Sequence, residues 1–151
     1  MERAARAGDR WSGQVALPGG AAEPEDADLL ETAVRETREE VGVDLRASAR
    51  PLGRLERIQA RAHEGPLPLW ITPFVFVARA PIRPVPGPEA REAFWFPLGL
   101  AASGALDADF RYERGDVARR MPCWVHEGRT VWGLTYHMLA RLNEVLAGGG
   151  G

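Results

Sequence analysis

The chain has 151 residues, of which 45% are hydrophobic and 26% charged, and its 19 basic and 21 acidic side chains leave a net charge of −2. That length carries one domain with a real core, and the near-balanced charge argues against a general nucleic-acid surface, which needs a basic excess. The single cysteine, Cys123, excludes an intrachain disulfide and fits a reducing compartment such as the cytoplasm. No apolar run approaches the ~18 residues of a membrane span, and the charged first residues do not read as a signal peptide.

Gly8-Asp9 is a turn signal, and Trp11 to Leu17 alternates loosely enough to read as a short strand. Leu17-Pro18-Gly19-Gly20 then runs into a glycine turn, where backbone can come close to a ligand or metal. A helix is predicted from about Asp28 to Val41, with Asp26 or Asp28 as N-cap and Gly42 where the helix should end. Pro51 to Ala60 sets Leu52, Leu55 and Ile58 against polar residues and predicts a half-buried strand. Ala62 to Leu69 carries Gly65, Pro66 and Pro68 and reads as a loop. Trp70 to Val77 is the most apolar run and predicts a long strand, with a bulge or edge at Pro73.

Pro81 to Pro88 cannot form regular structure. Ala93 to Phe96 reads as a short strand and Leu98 to Ala105 as a connector or single helical turn. Phe110–Arg114 and Cys123–His126 are candidate strands, with a turn at Glu127-Gly128. From Trp132, positions 132, 135, 136, 139, 142 and 146 repeat at helical spacing and predict an amphipathic C-terminal helix. The expected organisation is one domain over residues 1–147 and a flexible glycine tail over 148–151.

The chemistry concentrates in Arg35-Glu36-Thr37-Arg38-Glu39-Glu40-Val41-Gly42-Val43. Glu36, Glu39 and Glu40 stand at i, i+3 and i+4, which at about 100° per residue puts three carboxylates in one narrow arc of the helix. Leu30, Ala33, Val34, Thr37 and Val41 fall on an adjacent, core-facing arc. Like charges at this spacing cost a few tenths of a kcal/mol per pair. A solvated acidic face is the simple explanation for three glutamates alone. The glycine turn ahead of them favours a site for a cation instead. Oxygen ligands favour a hard divalent ion, Mg²⁺ or Mn²⁺.

This stretch resembles the signature of the Nudix hydrolases: a glycine, a short loop, an acid, then Arg-Glu-x-x-Glu-Glu, x-Gly and an aliphatic residue. Two positions depart from it. The usual loop acid falls on Ala27, so Asp26 fills the role only in a longer loop, and Thr37 stands where an aliphatic residue is usual. Outside the signature, residues 11–20 (WSGQVALPGG), the long loop 24–30 and Val131-Trp132-Gly133-Leu134-Thr135 resemble the coenzyme A pyrophosphatase branch of that family. In this chain Trp11 replaces the branch's histidine and Leu17 its phenylalanine.

The resemblance implies an α/β/α sandwich with a mixed sheet. Its first strand would be represented by Met1-Glu2-Arg3 as the tail of a strand that starts upstream. It also implies metal-dependent hydrolysis of a nucleoside diphosphate linked to another moiety, with coenzyme A or an acyl derivative as a candidate substrate. A dinucleotide, a nucleotide sugar or a nucleoside triphosphate is the alternative substrate, and a non-catalytic nucleotide-binding module the alternative of another class.

On this reading Glu36, Glu39 and Glu40 are the metal ligands, joined by the Gly20 carbonyl. Arg35 orients a glutamate, and the general base is a signature glutamate or a distal one, Glu89 or Glu92. Arg57, Arg61 and Arg91 are weaker candidates for phosphate contacts. His63, His126 and His137 show no partner spacing. The partner is a small molecule, with neither nucleic acid nor membrane expected, and monomer and homodimer both stay open.

Overall fold

The computed structural model describes residues 1–5, 13–62, 65–114 and 117–149. The chain is α/β. It divides into two compact units, one of Met1–Gly13 with Leu17–Phe94, the other of Gln14–Ala16 with Trp95–Gly151. The strand pairings among the described residues are antiparallel and fall in four small sheets, where the resemblance implied one mixed sheet.

In the first unit, helix α1 spans Leu29–Val41 and keeps the predicted limits. Asp28 is extended, and its Oδ1 accepts a hydrogen bond from the Glu31 N–H at 2.9 Å, which satisfies one of the free donors of the first turn. Gly42, at φ 66°, closes the other end by donating to the Arg38 carbonyl at 3.0 Å. A left-handed residue there is cheap only for glycine. A short helix α2, Leu45–Ser48, follows under an Asp44 cap.

Strand β1 is Glu2–Arg3, β2 Ala49–Arg54, β3 Ile58–Ala62, β4 Gly65–Ile71, β5 Phe74–Ala78 and β6 Ala90–Glu92. They pair as β1–β6, β2–β5 and β3–β4. The single strand expected over Pro51–Ala60 is therefore two, broken at Leu55–Arg57, and Leu52 is 52% exposed rather than half-buried. The loop expected over Ala62–Leu69 is largely strand. Pro66 and Pro68 lie in β4, whose register with β3 shifts between Gln59 and Arg61, so the ladder tolerates the missing donors. Trp70–Val77 is cut at Thr72–Pro73, where the proline cannot donate to a ladder.

Residues 81–88 form no regular element, as predicted. The strand expected over Ala93–Phe96 lies earlier, as β6. Of the strand expected at Trp11–Leu17, residues 11 and 12 lie outside the described residues, and only a bridge at Val15 forms in the rest.

The second unit has helix α3 (Leu98–Ala102), a three-stranded sheet β7–β8–β9 (Asp107–Arg114, Val117–His126, Arg129–Trp132) and helix α4 (Gly133–Gly148). Strand β9 had no signal in the sequence. Glu127 and Gly128 both have positive φ, 50° and 77°, as a two-residue hairpin turn requires. Helix α4 runs one residue into the expected glycine tail, and Gly149 closes it by donating to the Val145 carbonyl. The tail's last two residues lie outside the described residues.

The core of this unit is Ala101, Trp124, Val131 and Leu139. Trp124 packs on Tyr136 at 4.4 Å between ring centroids, and its Nε1–H is satisfied by Asp107 at 2.9 Å. The Thr135 hydroxyl donates to the Val15 carbonyl at 2.9 Å and so fastens α4 to residues 14–16. Cys123 is buried and free, and burial pushes its thiol pKa up.

Candidate active site

The acidic arc of α1 splits by environment. Glu40 is 3% exposed, the side chain of Glu36 15% and that of Glu39 58%. Glu40 lies in the band of buried residues that holds Thr37 and Val41, so its carboxylate needs a partner. The Gly19 N–H supplies one, donating to Glu40 Oε2 at 2.9 Å. Burial raises the Glu40 pKa, the Gly19 bond opposes the rise, and the charges of Glu36 and Glu89 add to it while Arg3 lowers it.

Glu36 meets the next glycine. A Cβ on Gly20 would stand 2.9 Å from Glu36 Oε2 and closer still to Oε1. The glycine turn therefore lies directly on the two inner carboxylates. Two carboxylates held against a glycine turn supply the oxygen donors that a hard divalent cation takes.

Arg35 ties the turn to the helix. Its Nε and Nη2 form a fork on Asp26, at 3.1 Å to Oδ1 and 3.0 Å to Oδ2, and Nη2 also reaches the Ala21 carbonyl at 3.1 Å. Its Nη1 donates to Glu36 at 3.0 Å and to Glu39 at 3.3 Å. Asp26 is further held by the Thr32 hydroxyl at 2.9 Å and by the Glu23 N–H at 2.9 Å. The Arg35 fork holds the Asp26 pKa well below the usual carboxylate range, and Asp26 in turn raises that of Arg35. At the displaced position it is Asp26, not Ala27, that accepts the bonds from Arg35 and Thr32.

Among the described residues, no group of three or more His, Cys, Asp or Glu side chains has the geometry to hold a metal ion. Arg35 Nη1 donates to both Glu36 and Glu39, while the Gly19 N–H donates to Glu40. A cation would share Glu36 and Glu39 with that guanidinium.

The remaining candidates sort clearly. Glu89 lies two residues past Gly87, whose N–H donates to the Glu40 carbonyl at 2.8 Å. Glu92 lies across the β1–β6 pairing from Glu2. Arg57 sits over the Trp70 ring at 4.5 Å, and Arg91 donates to Glu2 at 2.8 Å. Both therefore have structural partners. The Arg61 side chain and His63 lie outside the described residues. Sequence reasoning missed Thr32 and the Gly19 amide, because both act across the loop and no local spacing signals such contacts.

Asp26→Asn should lower stability at neutral pH. Because the folded-state pKa of Asp26 lies below its unfolded value of about 3.9, its contribution is complete above that value and fades as pH falls through the folded one. Denaturant midpoints of the two proteins should therefore differ at about pH 7 and converge in strong acid. An equal gap at both pH values would contradict this.

Fold and site together define an α/β protein with an acidic helix seated on a glycine turn. The family model for the NUDIX domain matches residues 1–120, and the chain belongs to the Nudix family. It is 40% identical over 103 residues to the uncharacterized protein C14C4.10c of Schizosaccharomyces pombe, covering 65% of this chain and 31% of that one. It is 33% identical over 137 residues to an uncharacterized Nudix hydrolase, NudL, of Yersinia enterocolitica, covering 89% and 67%. The corresponding Yersinia pestis protein is 32% identical over 137 residues, covering 89% and 65%. The chain thus spans about a third of the first relative's length and about two thirds of the others'. The family implies hydrolysis of a pyrophosphate bond in a small-molecule phosphate substrate, and its enzymes in general need divalent metal ions. No helix among the described residues is long and apolar enough to cross a membrane.

Proposed function

We propose that this protein hydrolyses the phosphoanhydride of a nucleoside diphosphate linked to another moiety, with Mg²⁺ or Mn²⁺, and that its substrate is coenzyme A or an acyl derivative. The observation that carries the reading is the seat of Glu36 and Glu40 against Gly19 and Gly20. Glu36, Glu40 and the Gly20 carbonyl would hold the ion, with Glu39 at the open side. Once bound, such an ion neutralises phosphate charge and lowers the pKa of a coordinated water. Arg35 fixes the Glu36 carboxylate against the turn. Glu89 is the better distal candidate for the general base, because the segment that carries it is bonded to the acidic helix through Gly87 and the Glu40 carbonyl.

The long loop closed by Asp26 and the Trp132-Gly133-x-Thr135 opening of α4 support the coenzyme A branch. The free buried cysteine supports a reducing, cytoplasmic setting. The test is a screen of coenzyme A, acyl-coenzyme A, dinucleotides, nucleotide sugars and nucleoside triphosphates with Mg²⁺ and Mn²⁺. Cleavage of coenzyme A to an adenosine bisphosphate and phosphopantetheine is expected. Inert coenzyme A beside cleaved nucleotide sugars would remove the branch assignment, and binding without turnover of any diphosphate would favour a non-catalytic module.

A further inference from the structure

We infer that Gly87 is a positioning residue: it lets the segment Val85–Glu89 lie flat on the last turn of α1 and so sets the distance between Glu89 and Glu40. The inference rests on the hydrolase reading above and deepens it. The C-terminal turn of a helix leaves carbonyls without intrahelical partners. Here two of them are taken by the proline-rich segment. The Val85 N–H donates to the Val41 carbonyl at 2.8 Å, and the Gly87 N–H to the Glu40 carbonyl at 2.8 Å. The second bond attaches the segment to the backbone of the buried glutamate itself.

The space at Gly87 admits no side chain. A Cβ there would stand 3.2 Å from the Glu39 carbonyl carbon and 3.3 Å from the Glu40 carbonyl oxygen, and would overlap the Glu39 oxygen. All three atoms are backbone of a helix and cannot swing aside. The segment is also held from its far side, where the Ala4 N–H donates to the Glu89 carbonyl at 2.9 Å and Arg3 pairs with Ala90. Glu89 therefore sits between two fixed points, with prolines at 84, 86 and 88 limiting the backbone between them. Lifting Gly87 off the helix moves Glu89 away from Glu40. A misplacement of about 1 Å at a reacting group can cost about 100-fold in rate.

The experiment is a double-mutant cycle of Gly87→Ala and Glu89→Gln, with kcat and KM measured on the substrate the wild type cleaves. Gly87→Ala should lower kcat by about 10- to 100-fold and leave KM within about twofold. In the Glu89→Gln background it should cost nothing further, because the group it positions is gone. Hydrogen exchange at the Val85 and Gly87 amides provides a readout independent of turnover. These amides should be protected in the wild type and in Glu89→Gln, and exposed in Gly87→Ala. If Gly87→Ala does not fold, Ala4→Pro, which deletes the donor to the Glu89 carbonyl, should give a smaller kcat loss that also vanishes in the Glu89→Gln background. Losses that multiply, or unprotected amides in the wild type, would overturn the inference alone. A wild type inert on every diphosphate would overturn the hydrolase reading and this inference with it.

Discussion

Glu40→Gln is expected to abolish metal-dependent turnover while leaving the protein folded and no less stable. The substitution keeps the shape of the side chain and removes its charge. A carboxylate that helps hold a divalent ion at a reacting phosphate contributes several kcal/mol to the transition state, which is about three orders of magnitude in kcat. Stability should move the other way. Burial raises the Glu40 pKa, so the ionised form is costly in the folded protein at neutral pH. A neutral amide avoids that cost and can still accept the Gly19 N–H through its carbonyl oxygen, so the melting temperature should hold or rise. Glu39→Gln is the comparison. Its side chain is 58% exposed and shares an Arg35 nitrogen with Glu36, so a smaller loss is expected. Steady-state rates in Mg²⁺ with thermal melts of the same samples check both. Full turnover by Glu40→Gln would remove Glu40 from the site.

The limits of α1 could be read from single residues, because Asp28 and Gly42 act within one turn of themselves. The same holds for the Glu127-Gly128 turn and for the irregular segment 81–88. The failures share a different character. Gly65, Pro66 and Pro68 suggested a loop, but they lie in a strand because β3 supplies partners at a shifted register, which no local rule reveals. The most apolar run is two strands, since one proline interrupts the ladder whatever its neighbours prefer.

The candidate site divides in the same way. Helical periodicity placed Glu36, Glu39 and Glu40 on one arc, but not their separation into a buried, a half-buried and an exposed carboxylate. Glu40 lies in the buried band of the helix, and the glycine turn, 16 to 21 residues away in the chain, meets both Glu36 and Glu40. Asp26 and Ala27 illustrate the limit. A fixed motif spacing selects Ala27, whereas the structure selects Asp26 through the Arg35 fork. Between Glu89 and Glu92 the sequence offered no basis for choice. The bond from Gly87 to the Glu40 carbonyl brings the segment carrying Glu89 onto the helix.

Gly20→Ala should be nearly as damaging as the loss of a carboxylate, although it removes no functional group. A methyl group there would overlap the Glu36 carboxylate, which can turn aside only by giving up its 3.0 Å bond from Arg35 Nη1. Either the carboxylate leaves Arg35, or the turn lifts and takes the Gly20 carbonyl with it. Both outcomes separate groups that the proposed metal site requires together. A displacement of about 1 Å is enough for a loss of about 100-fold in kcat. The stability cost should be modest, since Gly20 is exposed and the turn lies at the surface. Glu36→Ala identifies the cause. It vacates the space the methyl group would fill, so adding Gly20→Ala to it should cost little more than Glu36→Ala alone. If instead the two losses multiply, the damage comes from the turn's own conformation rather than from its contact with Glu36, and the close approach of Gly20 to the acidic helix is not what organises the site.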